Sequence, residues 1–175
     1  MPVFAEKDYG PEQIALRYAN YARGNSDGFV QAYHDILLSA PQAYGKIFRH
    51  LANTDPKPCL VNCTAGKDRT GVLIALLLSI LNVPVDDIAD EYALTDLGLA
   101  ERKPIFVERL LQNPALNGNR EGVQYMVSSR KENMDAALNM IDESFGGAEC
   151  YVKQKCSLSD DDIGQIRKNL LAGGS

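Results

Sequence analysis

The feature that most restricts the fold is a run of apolar residues over positions 72–81, which only Ser79 interrupts. A helix that is apolar on nearly every side has to lie in a protein core, because no side of it favours water. The run is too short to cross a bilayer, which takes about 20 residues of helix. The sequence therefore predicts a globular protein packed around this helix.

Amphipathic segments that can pack around the central helix lie on both sides of it in the chain. Apolar residues recur in them at helical spacing, with proline, aspartate or serine near several starts and glycine at some ends. The predicted helices begin near Pro11, Asp27, Pro41, Asp86, Lys103, Glu132 and Ser159. Asp27 is a predicted cap, Ser159 and Asp162 resemble a capping box, and Gly146-Gly147 is predicted to end the helix from Glu132. The chain has 175 residues, of which 45% are apolar and 23% are charged, a composition that is ordinary for a globular protein. This length and composition predict one domain over residues 1–175.

A short apolar stretch, Cys59-Leu60-Val61, follows a proline-containing turn and lies ahead of the central helix. Its length and composition predict a strand that is buried on both faces. Such a strand needs neighbours for its backbone hydrogen bonds, and Val3-Phe4 is the other candidate in the chain. We therefore predict a helix-rich α/β fold with a small, depleted parallel sheet.

The segment between this stretch and the apolar helix, residues 62–71, reads NCTAGKDRTG. A short loop that turns into a helix aims several backbone N–H groups at one point, and Gly66 permits the dihedral angles that this requires. Arg69 can bind two phosphate oxygens with its planar guanidinium group. The loop therefore predicts a phosphate site. The residues predicted to bind the phosphate are Thr64, Ala65, Gly66, Lys67, Asp68, Arg69 and Thr70.

Cys63 is expected at the base of this loop, close to the N-terminus of the helix. A free thiol has a pKa of about 8.5, and a helix N-terminus with cationic neighbours lowers the pKa to roughly 3.5–7.5. The hydroxyl of Thr70 can also hydrogen-bond a thiolate there. A thiolate that faces a phosphate held by Arg69 is placed to attack phosphorus in line. These residue types predict phosphoryl transfer to Cys63.

Two of the loop residues also allow explanations that need no catalysis. Asp68 can stabilise the positive end of the helix dipole, and Lys67 can be a solvated loop charge. A Walker ATP-binding loop is disfavoured because Asp68, and not serine or threonine, follows Lys67. Other candidates for a catalytic acid are Asp8, Asp27 and Asp96.

Net charge and cysteine usage exclude several other classes of function. A net charge of −5 disfavours a nucleic-acid surface and a broad contact with an anionic membrane. The cysteines are Cys59, Cys63, Cys150 and Cys156. Because the start of the sequence shows no signal-peptide pattern, we expect free thiols and a cytoplasmic location. Cys59 opens the predicted buried strand and is expected in the core, the alternative being a redox partner that forms a disulfide with Cys63. The two histidines, His34 and His50, show no spacing with cysteine that predicts a metal site.

The loop and its flanks resemble a known family. Cys-x5-Arg-Thr-Gly after a hydrophobic stretch is the signature of the cysteine-dependent protein tyrosine phosphatases. The fuller loop is similar to that of the atypical tyrosine/serine phosphatases of bacteria and fungi. The resemblance continues at residues 92–95, 145–147, 151 and 158–159, and so covers most of the chain beyond Ala40.

The resemblance implies specific roles and substrates. In that family the loop cysteine forms a phosphocysteine, the arginine binds substrate and transition state, and a Lys-Asp pair assists, with the aspartate as proposed general acid. By resemblance these roles fall on Cys63, Arg69, Lys67 and Asp68. The implied activity is hydrolysis of phosphoric monoesters in phosphotyrosine or phosphoserine proteins (dual specificity) or phosphoinositides, with no metal or cofactor. The resemblance also implies that residues 103–125 cover the pocket.

The chain departs from the family pattern at two points. Asn62 stands where the family has histidine, and asparagine donates a hydrogen bond but carries no charge. We therefore expect a less acidic thiol and slower chemistry than in the family. The family's N-terminal portion, with further strands, is expected to be missing, and a homo-oligomer is one way to complete the sheet. The alternative function is a phosphate-binding pseudophosphatase with weak or no turnover.

Overall fold

The computed structural model describes the backbone of residues 11–171 and the side chains from residue 15 onward. The helices of this part are α1 (Pro11–Tyr21), α2 (Ser26–Ser39), α3 (Pro41–Leu51), α4 (Asp68–Ile80), α5 (Val85–Ala93), α6 (Thr95–Gly98), α7 (Lys103–Leu111), α8 (Arg120–Met126), α9 (Lys131–Phe145), α10 (Ala148–Gln154) and α11 (Asp160–Leu171), with a 3₁₀ turn at Pro114–Leu116. The helix-rich character predicted from the sequence is confirmed.

The predicted strand and parallel sheet are wrong, since residues 11–171 contain no β-strand. Leu60 is 91% exposed and Cys59 is exposed as well, so neither is buried on two faces or lies in the core. Val61 is partly buried against the core. A strand persists only where a neighbour accepts its backbone hydrogen bonds, and the described residues supply none to this stretch. Val3-Phe4, the other predicted strand, lies outside the described residues.

The apolar run over residues 72–81 forms most of α4, and this helix lies in the main core as predicted. Leu76 is completely buried near the middle of the helix. Helix α9 packs against α2 and α5, and α4 packs against α2, α5 and α10. Within the part of the chain that is described, no helix is long and apolar enough to cross a membrane.

Local signals at helix ends are mostly where the sequence predicts them. Gly146 ends α9 in the left-handed conformation, with φ of 73°. At the start of α11, Ser159 Oγ accepts a hydrogen bond from the N–H of Asp162, and the Asp162 carboxylate accepts one from the N–H of Ser159. The cap of α2 is different, because Asn25, and not Asp27, accepts the hydrogen bond from the first turn.

The N-terminus of α4 is held in place by two tyrosines from other helices. The Tyr44 hydroxyl, on α3, donates to the carbonyl oxygen of Arg69 at 2.6 Å. The Tyr92 ring, on α5, lies so close to Gly71 that a Cβ there would be 3.0 Å from the ring. These contacts position the loop that leads into α4.

Candidate active site

The predicted phosphate loop leads directly into α4, whose first residue is Asp68. Gly66 has φ of 70°, a conformation that side chains with a Cβ rarely adopt. Arg69 turns back over the loop, where its Nη2 donates to Thr64 Oγ1 at 2.8 Å. Cys63 and Arg69 line a common cleft of about 370 Å³. The structure thus brings together the thiol and the guanidinium group that the sequence singled out.

The environment of Cys63 favours the thiolate. Its half-buried position opposes ionisation, but the hydroxyl and backbone N–H of Thr70 and the charge of Arg69 outweigh burial, so that the pKa of Cys63 lies below its ordinary value. The Thr70 hydroxyl oxygen is itself buried and has no hydrogen-bond partner among the described residues. Its proton is therefore available to the sulfur.

Asn62 is exposed and is not among the largest causes of this pKa shift. Its side-chain nitrogen lies 3.5 Å from the carbonyl oxygen of Cys63, at the limit of a hydrogen bond, and this contact is to the backbone and not to the thiol. The slower chemistry expected from Asn62 stays a prediction.

Lys67 is turned into the protein and is only 4% exposed, so it is not a solvated loop charge. Its Nζ lies 2.6 Å from Asp68 Oδ1 and 4.7 Å from the centroid of the Phe29 ring. Burial lowers the pKa of Lys67, but the Asp68 carboxylate more than reverses this and raises the pKa above its ordinary value. The charge of Lys67 is therefore directed at Asp68 and at an aromatic ring.

Asp68 is the centre of a hydrogen-bond network that reaches across the core. Its Oδ1 also accepts a hydrogen bond from the Tyr33 hydroxyl at 3.0 Å, and the hydroxyl oxygens of Tyr33 and Tyr92 are 2.6 Å apart. Burial raises the pKa of both tyrosines, so they act as neutral hydrogen-bonding groups. Tyr33 lies on α2, 35 residues before Asp68, so no local sequence pattern predicts this contact.

A second cleft, of about 440 Å³, is lined by other residues of the same loop. One wall consists of Thr64, Ala65, Lys67 and Asp68 from the loop and the start of α4. The facing residues are Tyr18, Leu99, Phe106, Arg109, Leu110, Asn113, Met126 and Val127. Part of the segment expected to cover the pocket, residues 103–125, thus lies beside the loop.

Of the other candidate acids, Asp27 and Asp96 line neither cleft. Asp27 is exposed at the start of α2 and accepts a hydrogen bond from Asn25 at 3.3 Å. Asp96 accepts one from the Ser129 N–H at 2.5 Å and pairs with Lys103 at 2.7 Å. Asp8 lies outside the described residues. Among the acids that the sequence singled out, Asp68 is therefore the one described at the loop.

Comparison with known proteins gives a consistent set of relatives. A sequence profile of the tyrosine phosphatase family matches residues 2–172. A tyrosine-protein phosphatase of Nostoc commune is 29% identical over 150 residues, which cover 85% of this chain and 51% of the relative. A Cupriavidus necator protein assigned by name to the tyrosine-protein phosphatases is 33% identical over 149 residues, with 84% and 51% covered.

The triple specificity protein phosphatase PtpB of Mycobacterium tuberculosis is 27% identical over 123 residues, 66% of this chain and 44% of that protein. The chain spans about half the length of the curated relatives that it matches.

Proposed function

This chain belongs to the tyrosine phosphatase family, and on that premise we propose that it hydrolyses phosphoric monoesters through a phosphocysteine on Cys63. One observation carries the proposal: Cys63, whose pKa is lowered, and Arg69 line the same cleft in a loop at a helix N-terminus. Residues 1–175 act in this proposal as a single phosphatase domain.

In the first step the Cys63 thiolate attacks phosphorus in line with the ester oxygen. A bond forms between sulfur and phosphorus while the bond from phosphorus to the ester oxygen breaks. Arg69 and the backbone N–H groups of residues 64–69 bind the equatorial oxygens, and the charge that develops on them is stabilised without reorganisation of solvent. In the second step water attacks phosphorus, the bond to sulfur breaks, and inorganic phosphate leaves.

Asp68 serves in this proposal as the acid that protonates the leaving oxygen and as the base for the attacking water. It lies in the loop wall of the second cleft. Its Oδ1 is held by Lys67 and Tyr33, and no partner of Oδ2 is present among the described residues. In this proposal Lys67 acts through Asp68, whose carboxylate it holds in place.

The proposed substrates are phosphotyrosine and phosphoserine proteins, with phosphoinositides as a further class. Names of the relatives support the first class, since they are tyrosine-protein phosphatases and a triple specificity protein phosphatase. A substrate with more than one phosphate can also use the charge of Lys46, which lines the cleft shared by Cys63 and Arg69.

The test is hydrolysis of phenyl phosphate by the parent protein, Cys63→Ser and Cys59→Ser. Cys59 lies in the same cleft but is exposed and has no step in the mechanism, so it is the matched control. We expect Cys63→Ser to lose activity by at least about 10³-fold, because the nucleophile is removed, and Cys59→Ser to keep the parental rate. Equal rates for the parent and Cys63→Ser would falsify the phosphocysteine mechanism.

A phosphate-binding pseudophosphatase is the second candidate, and the exposed Asn62 is the observation that favours it. It predicts a parent protein with no turnover whose melting temperature is still raised by vanadate. Turnover by the parent that increases in Asn62→His supports the enzyme instead. A parent protein that shows no turnover and whose melting temperature does not change with vanadate contradicts both candidates.

A further inference from the structure

The second cleft has a lining that phosphate binding alone does not explain. We propose that it is an apolar subsite, which takes an aliphatic or aromatic side chain next to the phosphorylated residue of a phosphopeptide. This proposal rests on the proposed phosphatase function of the loop, and it concerns the choice among phosphopeptides.

The lining changes character from the loop to the opposite wall. Thr64 and Ala65 form the side next to the phosphate site. The opposite wall is mostly apolar. It has Leu99, Phe106 and Leu110 from the α6–α7 region and Met126 and Val127 at the end of α8, while its polar groups come from Arg109 and Asn113. A volume of about 440 Å³ lies within the range of roughly 300–1,000 Å³ for small-ligand sites and exceeds that of one side chain.

A substrate held by Arg69 is placed to enter this cleft. The guanidinium group donates to Thr64 Oγ1 at 2.8 Å, and Thr64 is the first residue of the cleft wall. A phosphoryl group bound by Arg69 therefore lies beside the cleft, and the residue next to the phosphorylated one is at its entrance. Burial of that side chain adds transition-state binding that the phosphate cannot supply.

The α7 and α8 parts of the wall opposite the loop are tied together by one carboxylate, so this wall keeps its shape without a ligand. Asp96 pairs with Lys103, the first residue of α7, and accepts the N–H of Ser129, just beyond α8. Leu110 and Met126 also pack on buried core residues. A preformed apolar cleft costs little conformational entropy on binding.

Polar groups at the cleft favour a peptide as occupant. Asn113 and Arg109 line it together with Tyr18, and these side chains can hydrogen-bond peptide carbonyl groups. The positive charge of Lys67 in the loop wall is already paired with Asp68. The net charge of −5 opposes approach to an anionic lipid surface.

The experiment uses two phosphotyrosine peptides that differ only in the residues flanking the phosphotyrosine, which are leucine in one and serine in the other. We measure the ratio of their kcat/KM values. The parent is expected to prefer the leucine peptide by about tenfold, and Phe106→Ala to lower that preference to about threefold or less. Ile105→Ala is the matched control, since Ile105 is the adjacent residue on α7, is 67% exposed and lies outside the cleft. It should keep the parental ratio.

The subsite is overturned if the parent has equal kcat/KM values for the two peptides or prefers a third peptide with flanking aspartates. It is also overturned if Ile105→Ala lowers the preference for the leucine peptide as much as Phe106→Ala does. If circular dichroism shows that Phe106→Ala is unfolded, Leu99→Ala replaces it with the same expected ratio. Peptide binding to Cys63→Ser, measured by titration, separates the two proposals. If the parent has no turnover, the phosphatase function is contradicted. The subsite is still supported if Cys63→Ser binds the leucine peptide more tightly than the serine peptide, and it is contradicted if the two peptides bind equally.

Discussion

Single residues at the site act through the partners that the loop gives them. Cys63 has a lowered pKa because Thr70 and Arg69 outweigh its burial, whereas burial raises the pKa of Cys156 to about 11. Lys67 and Asp68 are paired with each other at 2.6 Å. The same residue types therefore have different properties according to their neighbours, and substitutions of those neighbours test the mechanism.

Replacement of Thr70 by valine should raise the pKa of Cys63. The Thr70 hydroxyl can donate its proton to the thiolate and so lowers the pKa of Cys63, and its loss leaves the effect of burial on that pKa less opposed. The measurement is the pH profile of alkylation by iodoacetamide in a Cys59→Ser background, with Cys63→Ser as the blank. The rate at pH below the pKa should fall and the profile should move to higher pH. An unchanged profile means that Arg69 and the backbone N–H of residue 70 are enough to lower the pKa of Cys63 without the hydroxyl.

Removal of the Tyr33 hydroxyl should slow catalysis with little change in binding. In Tyr33→Phe, Asp68 Oδ1 keeps Lys67 but loses one of its two donors. Loss of such a hydrogen bond costs about 1–2 kcal/mol, so we expect kcat to fall by roughly 5–30-fold and KM to change by less. Tyr151→Phe is the control, because its hydroxyl also bonds a buried oxygen, that of Leu37, away from the loop. If both variants show the same kcat, Tyr33 has no positioning role.

Elements of this molecule are positioned by close contacts at their ends. The start of α4 meets α3 through the hydrogen bond of Tyr44 and meets α5 where Gly71 touches the Tyr92 ring. Tyr92 in turn lies 2.6 Å from the Tyr33 hydroxyl. A glycine at one helix position thus sets both the helix packing and the network around Asp68.

Glycine-to-alanine substitutions in two helices should have opposite effects. In Gly71→Ala the added Cβ lies 3.0 Å from the Tyr92 ring, so the ring must move, and we expect a lower melting temperature and a lower kcat. In Gly164→Ala, on α11, the Cβ meets no atom within 4 Å. That variant should gain about 0.5–1 kcal/mol of stability from helix propensity and keep its activity. Thermal unfolding and phenyl phosphate hydrolysis measure both effects, and a stabilised Gly71→Ala contradicts the tight contact.

The whole molecule is stabilised by the packing of helices around α4, with no sheet among the described residues. The loop therefore depends on the helical core that holds the start of α4, and not on a strand behind Cys63. The exposed Leu60 marks the boundary of that core.

A pair of leucine-to-alanine substitutions tests this distribution of stability. Leu76→Ala on α4 removes a completely buried side chain and should cost about 2–5 kcal/mol of unfolding free energy. Leu60→Ala removes a side chain that is 91% exposed and should change stability by at most about 0.5 kcal/mol. Urea denaturation measures both values. A large cost for Leu60→Ala would show that residues 59–61 lie in a core after all.

The sequence alone was sufficient for features that depend on neighbours along the chain. The apolar helix over residues 72–81, the turn at Gly66, the capping box of Ser159 and the end of α9 at Gly146 follow from periodicity and from local backbone preferences. The proximity of Cys63 and Arg69 follows from their spacing in one short loop. These features need only a few consecutive residues, which is why the pattern specifies them.

Tertiary structure decided what depends on residues distant in the chain. The apolar stretch Cys59-Leu60-Val61 reads as a strand, but no described partner takes up its hydrogen bonds, so it remains outside any sheet. Tyr33 reaches Asp68, and α7 forms a wall opposite the loop, only because helices pack around α4. Such contacts depend on the relative placement of whole helices, which no local pattern encodes.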